Sequence, residues 1–217
     1  MFVDYLSKAQ DTFINRGLLH LLYRILNKLK SEAFDSNSSI WLVKDLNDVS
    51  QRLNGFSDYK INFNDLYIIS EWIKKNNVEY DHMYCEKEIS VAKEYGHVIP
   101  FLKHNNKIIG YTKVALNKVY IRDYGSLYSL APNKAMFYDT TLLVEYRGKK
   151  LPRYLNNEIF SYLKDKNVDY IYAHIEPWNI ASIKSFKGVG FKAMCLNKYI
   201  RVFCFKYHSN DPRKLLL

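Results

Sequence analysis

The sequence predicts a mixed α/β fold: a largely antiparallel sheet with one parallel pair of strands and flanking helices, preceded by a helical extension. Three observations carry it. Apolar residues recur at helical spacing near the start of the chain. Two β-rich runs flank Asn105-Asn106. The last third alternates strand, helix, strand, helix, strand.

Taken in order, residues 4–30 read as mostly helical. Ile14, Leu18, Leu21, Leu22, Ile25, Leu26 and Leu29 recur every three to four residues, and Gly17 divides the run. The stronger part, 18–30, packs on the domain or a second subunit, or lies on an anionic membrane surface. Asp35-Ser36-Asn37-Ser38-Ser39 reads as a turn-forming break. The chain then divides into an extension (1–39), a main domain (40–208) and a loose tail (209–217). Strands are expected at 40–46, 97–103, 107–116, near 118–122, at 135–143, at 169–175, and as two more within 191–207. Helices are expected at 64–75, 79–95, 153–164 and 180–187. In the third of these, Leu151, Leu155, Ile159 and Leu163 recur every four residues. The strands at 135–143 and 169–175 are joined by a helix, so they should run parallel.

The chain has 217 residues and a formal charge of +10, but its Lys and Arg residues never run longer than a pair. A diffuse positive charge favours any anionic partner and singles out none. Cys85, Cys195 and Cys204 are too few and scattered for a disulfide framework or zinc site, so no metal is expected. With no membrane-length apolar run and no signal peptide, the sequence reads as cytoplasmic, with membrane contact through 18–30 as an option.

Two segments carry chemistry. Leu142-Leu143-Val144-Glu145-Tyr146-Arg147-Gly148-Lys149-Lys150-Leu151-Pro152 runs from a strand into a helix. A helix N-terminus presents unpaired N–H groups and the positive end of a dipole. Arg147, Lys149 and Lys150 add charge where a pyrophosphate would sit, and Pro152 suits the first turn. The second segment, Asn179 to Phe186, closes on Gly188-Val189-Gly190-Phe191, with Asn179 as N-cap.

In this order and spacing the two segments resemble the GNAT superfamily of N-acetyltransferases. Arg147 to Pro152 occupies the family's cofactor loop, Arg/Gln-x-x-Gly-x-Gly/Ala. Asn179, Ser182, Phe186, Gly190 and Phe191 match its second motif. The resemblance implies a GNAT-like sheet whose parallel pair splays open to admit acetyl-CoA. Thr140, Thr141, Leu142 and Val144 would lie along the pantetheine arm. Arg147, Gly148, Lys149, Lys150, Leu151 and Pro152 would hold the pyrophosphate, with Asn179, Ser182 and Phe186 completing the cofactor site. A primary amine would attack the thioester directly, the acceptor being an amino sugar, a small amine or a protein N-terminus. Asp139, Glu176 and His174 are the candidate bases, with Tyr138 a further one. The chain departs from the family at Lys150 and Pro152, which replace small residues, and at Phe186, where a Tyr often protonates the thiolate. Those departures leave two alternatives: a longer acyl donor on CoA or a carrier protein, or a non-catalytic module for an anionic membrane or RNA. Nucleic acid is otherwise not expected as a partner.

Overall fold

The computed structural model describes residues 34–48, 55–63, 71–72, 75, 92–203 and 205–217. The helix expected at 4–30, with its membrane option at 18–30, lies outside them, as do Cys85, Cys204 and most of the helices expected at 64–75 and 79–95. Glu71, Trp72, Lys75 and Ala92 to Glu94 are described, and all are helical.

The chain forms two compact units, residues 38–197 with 210–217, and residues 1–37 with 198–209. In the larger unit the strands are β1 (Phe34–Asp45, entering from the smaller unit), β2 (Tyr59–Asn62), β3 (His97–Val98), β4 (Phe101–His104), β5 (Lys107–Ala115), β6 (Lys118–Ile121), β7 (Ser126–Ser129), β8 (Lys134–Leu142), β9 (Tyr170–Ile175) and β10 (Lys192–Val202). Its helices are α1 (Leu151–Lys164), α2 (Ile180–Lys187) and α3 (Pro212–Leu216). The main sheet runs β10-β1-β9-β8-β5-β4-β2, with β3 beside β5, and β6 and β7 form a separate hairpin. Only β8 and β9 pair in parallel among the described strand pairs, as the helical crossover requires. In the smaller unit, β10 continues into a hairpin with β11 (Phe205–His208).

The local chemistry explains these elements. Asn105 and Asn106 both take positive φ, 49° and 63°, which makes the tight turn between β4 and β5. α1 buries Leu151, Leu155, Ile159 and Leu163 completely, together with Phe160. Leu155, Ile159, Phe160 and Leu163, with Ile183 and Phe186 of α2, cover one sheet face built from Leu42, Val114, Phe137, Ile171, Ala173 and Ile175, while Leu151 packs with Leu102, Ile109 and Leu142. The other face carries Trp72, Ile99, Phe101 and Tyr111.

Two expectations change. Asp35 to Ser39, read as a break, is strand: β1 begins at Phe34. Turn-forming residues yielded here to sheet pairing, because β-propensity is set by neighbours more than by the residue itself. The stretch 211–217, read as a loose tail, folds as α3, capped by the Asp211 carboxylate on the Arg213 N–H at 3.0 Å. Leu216 is fully buried, and the Ala131 N–H donates to its carbonyl.

Candidate active site

The site begins where β8 and β9 part. Their register runs Lys134–Tyr170, Ala135–Ile171, Met136–Tyr172 and Phe137–Ala173, then stops. Beyond that point β8 continues on β5 alone, to Gly110–Leu142, and β9 continues on β1 alone, to Ile40–Ile175. A bulge accompanies the parting. Val114 pairs Phe137 but Lys113 pairs Asp139, which leaves Tyr138 as the extra residue of β8. An extra residue bends a strand and raises its twist, and so turns β8 away from β9. The inner edges of both strands are left with backbone groups able to pair an extended ligand. Gly110 is required opposite: a Cβ there would stand 2.4 Å from the Thr141 carbonyl.

At the open end, β8 passes through a turn of 3-10 helix (Val144–Tyr146) into α1. Lys150 is the N-cap of α1 and sits in the left-handed region, φ 59° and ψ 10°, so this position does take the conformation a glycine prefers. Gly148 also has positive φ, 78°. No backbone partner among the described residues meets the N–H groups of Gly148, Lys149, Lys150 and Leu151. Pro152 contributes none. The side chains of Arg147, Lys149 and Lys150 are exposed around these donors, and the Arg147 Nε–H donates to the Leu142 carbonyl at 3.1 Å. Thr140 is exposed and hydrogen-bonds Thr112 through their hydroxyls at 3.1 Å, Leu142 is buried, and Val144 is exposed. Replacing Lys150 by glycine should relieve about 1 kcal/mol of backbone cost and raise the melting temperature by about 2–4 °C. A melting temperature that stays put or falls would show that the lysine side chain repays its backbone cost.

α2 follows the sequence reading closely. The Asn179 side chain accepts from the Ser182 N–H at 3.1 Å. The helix closes in a Schellman arrangement: Phe191 N–H to the Phe186 carbonyl, and Gly190 N–H to the Lys187 carbonyl. Gly190 has φ +92°. Phe186 and Phe191 pack edge to face at 4.9 Å. Phe186 therefore lies in the core, and its ring has no proton to give a thiolate. Arg153 of α1 lies so close to Gly188 that a Cβ there would stand 2.4 Å from its guanidinium carbon. That places a cation at the C-terminal end of α2, where the helix dipole favours it.

The candidate bases fall in different surroundings. The side chain of Asp139 lies outside the described residues; its backbone pairs Lys113. Glu176 is half-buried in the turn after β9, where its carbonyl accepts from the Asn179 N–H. His174, the first residue past the last β8–β9 pair, stacks on Trp41 at 5.8 Å. Burial pushes its pKa down to about 4, outweighing the attraction of Glu176. Its buried Nδ1 makes no hydrogen bond and stands 3.8 Å from an Asp123 carboxylate oxygen.

The sequence reading had no means of finding one pair. Tyr138, on the bulge, hydrogen-bonds His97 Nδ1 at 2.7 Å, and His97 Nε2 lies 3.0 Å from the Lys118 carbonyl. A carbonyl only accepts, so Nε2 carries the proton, and Nδ1 accepts from the phenol. Burial, with Lys113 nearby, lowers the His97 pKa below 6.5 despite the Lys118 hydrogen bond. The ammonium of Lys113 lies 6.0 Å from the Tyr138 ring centre. Tyr138 and His97 are 41 residues apart, so only the β3–β5–β8 pairing brings them together. Among the described residues, no group of three His, Cys, Asp or Glu could hold a metal, and no helix is long and apolar enough to cross a membrane.

Residues 63–191, more than half the chain, match the sequence profile described as the acetyltransferase (GNAT) family. No curated protein matches. Among solved structures, a Drosophila protein is 11% identical with a TM-score of 0.56, over 83% of this chain and 57% of its own. A tandem GNAT protein from the clavulanic acid biosynthesis pathway is 16% identical with a TM-score of 0.54, over 82% of this chain and 55% of its own. A putative GNAT-family acetyltransferase from Novosphingobium aromaticivorans is 12% identical with a TM-score of 0.51, over 78% of this chain and 66% of its own. The chain thus spans little more than half the length of the first two, and these likenesses speak for the fold. With the parted strands, the helix N-terminus beside them and the profile match in agreement, the chain belongs to the acetyltransferase (GNAT) family.

Proposed function

We propose that the protein transfers an acetyl group from acetyl-CoA to a primary amine by direct attack. The observation that carries this reading is the parting of β8 and β9 beside three cations and four N–H groups that have no backbone partner among the described residues, at the start of α1. Those donors suit a pyrophosphate, and the open strand edges suit a pantetheine amide chain. Acetyl-CoA brings the activated thioester. The chain's residues orient it and handle protons. Titration calorimetry with CoA tests the reading: micromolar binding supports it, and no binding at millimolar CoA would end it.

An ammonium acceptor must lose a proton before it attacks. Tyr138 and His97 offer a path. The phenol oxygen accepts from the ammonium, directly or through one water, while its own proton passes to His97 Nδ1. His97 then releases that proton to solvent. After the C–N bond forms and the C–S bond breaks, the second nitrogen proton ends on the thiolate. A thiol pKa near 8.5 makes that leaving group tolerable without a tyrosine at position 186. The groups facing His97 are Tyr138, Tyr95 and Lys113, with the Lys118 backbone. Because His97 must be neutral, the acid limb of kcat/KM should fall below pH 6.5. Tyr138→Phe should lower kcat/KM by about 10²-fold and remove that limb, with CoA affinity kept. A larger loss in Glu176→Gln or Asp139→Asn would move the role to that carboxylate.

Asp123 and Glu176 lie near His174 past the parting, and carboxylates attract an ammonium group. An amino sugar, a small amine and a protein N-terminus all present one.

A further inference from the structure

Asn156 breaks the apolar pattern of α1. It is 2% exposed, on a helix whose other buried residues, Leu151, Leu155, Ile159, Phe160 and Leu163, are all apolar. Its side-chain carbonyl oxygen, Oδ1, is buried and accepts no hydrogen bond from the described residues. A buried acceptor in that state has lost its hydration with nothing in return, and native chains keep few of them.

The neighbours of Asn156 on the helix say what it lies under. Leu151, at the start of α1, packs with Leu142 at the end of β8. Phe160 stacks on Phe137, the last β8 residue to pair β9. Asn156 lies between these two points on the buried side of α1. It therefore stands beneath residues 138–141, the stretch of β8 that has parted from β9. Three residues before it, Arg153 lies against Gly188; four residues after it, Phe160 meets Phe191. Residues at that spacing share a helix face, so Asn156 is on the side of α1 that turns to the end of α2. Oδ1 is thus placed below the gap, in the seam between the two helices. A polar acceptor is out of place under a closed sheet, whose backbone groups are already paired. It is in place under a gap that admits a polar chain.

We infer that Asn156 Oδ1 accepts a hydrogen bond from an amide N–H of the pantetheine arm, which makes Asn156 a cofactor-binding residue outside both sequence motifs. This assignment rests on the acetyl-transfer reading. An ammonium group would bring a full charge in among Leu155, Ile159 and Phe160, which burial opposes, whereas an amide is neutral and donates one proton.

Calorimetry with two ligands tests it. CoA carries the arm; adenosine 5′-diphosphate carries a pyrophosphate without it. Asn156→Leu roughly keeps the size of the side chain and removes the acceptor. It should weaken CoA binding about fivefold and leave adenosine diphosphate binding unchanged. Without ligand, the same variant should melt about 2–4 °C higher, because an unmet acceptor has left the interior. Asn156→Ala, which cannot overfill the site, should show the same split between the two ligands. If the parent fails to bind CoA, the acetyl-transfer reading has failed first and takes the assignment with it. If the parent binds CoA and both variants bind it as tightly, the assignment alone falls, and a buried water meets Oδ1 instead. It falls too if both variants weaken CoA and adenosine diphosphate alike, since the change then acts through the phosphate loop.

Discussion

Replacing Phe137 by alanine is expected to cost about 3–5 kcal/mol of stability, the largest loss from any single change considered. The ring is 2% exposed. Its centre lies 6.1 Å from those of Phe160, Phe186 and Phe191, so one side chain joins β8, α1, α2 and the end of the α2 cap. Truncation removes the apolar transfer energy and leaves a void between two helices and a sheet that cannot all close in. Domain stabilities are about 5–15 kcal/mol, so the variant would sit near its folding threshold. Phe137 is also the last β8 residue to pair β9. Loosening it should widen the parting and weaken CoA binding as well. Urea unfolding of Phe137→Ala beside Phe137→Leu measures the effect. A loss below 1 kcal/mol in the alanine variant would mean the cluster repacks and the parting is held by the strands alone.

Much of this arrangement was legible in the sequence because it is local. The four-residue repeat of α1, the Asn179 cap and the Asn105-Asn106 turn each lie within a few residues, and each folds as those residues dictate. The parallel pair followed from the length of one crossover. The order of Arg147–Pro152 and Asn179–Phe191 carries the resemblance to the family, and Lys150 takes the left-handed conformation that a glycine prefers. What was illegible is long-range. Tyr138 meets His97 only because β8 gains one residue against β5 and β3 lies on β5's other edge. Nothing in the wording around either residue marks it. Likewise, α3 read as a tail because its five residues are too short to show a period. Its burial comes from Ala131 and Lys134, some 80 residues away: Lys134 donates to the Leu215 carbonyl at 3.0 Å, |i−j| = 81.

His174 should make the protein acid-sensitive well above the carboxylate range. In the unfolded chain a histidine titrates near 6.5, whereas burial holds His174 down at about 4. Above pH 6.5 it is neutral in both states and has no pH-dependent effect. Between 6.5 and 4 the unfolded chain takes up a proton that the folded one refuses, so stability falls with pH at up to about 1.4 kcal/mol per unit. The loss amounts to roughly 3 kcal/mol by pH 4. His97, also lowered by burial, adds to the fall in the same direction. Unfolding free energies from pH 8 to 4 should therefore slope downward below 6.5, and His174→Gln should flatten most of that slope. A parent curve flat to pH 5 would mean that the Asp123 carboxylate, 3.8 Å away, moves in and holds the imidazolium. The same low pKa bears on chemistry. A base of pKa about 4 is unprotonated through the physiological range but accepts a proton weakly. His174 therefore suits packing with the buried rings of Trp41 and Tyr124 better than carrying the amine's proton. An acid limb in kcat/KM below 6.5 that survives His174→Gln and disappears in Tyr138→Phe would assign the proton to the phenol–imidazole pair.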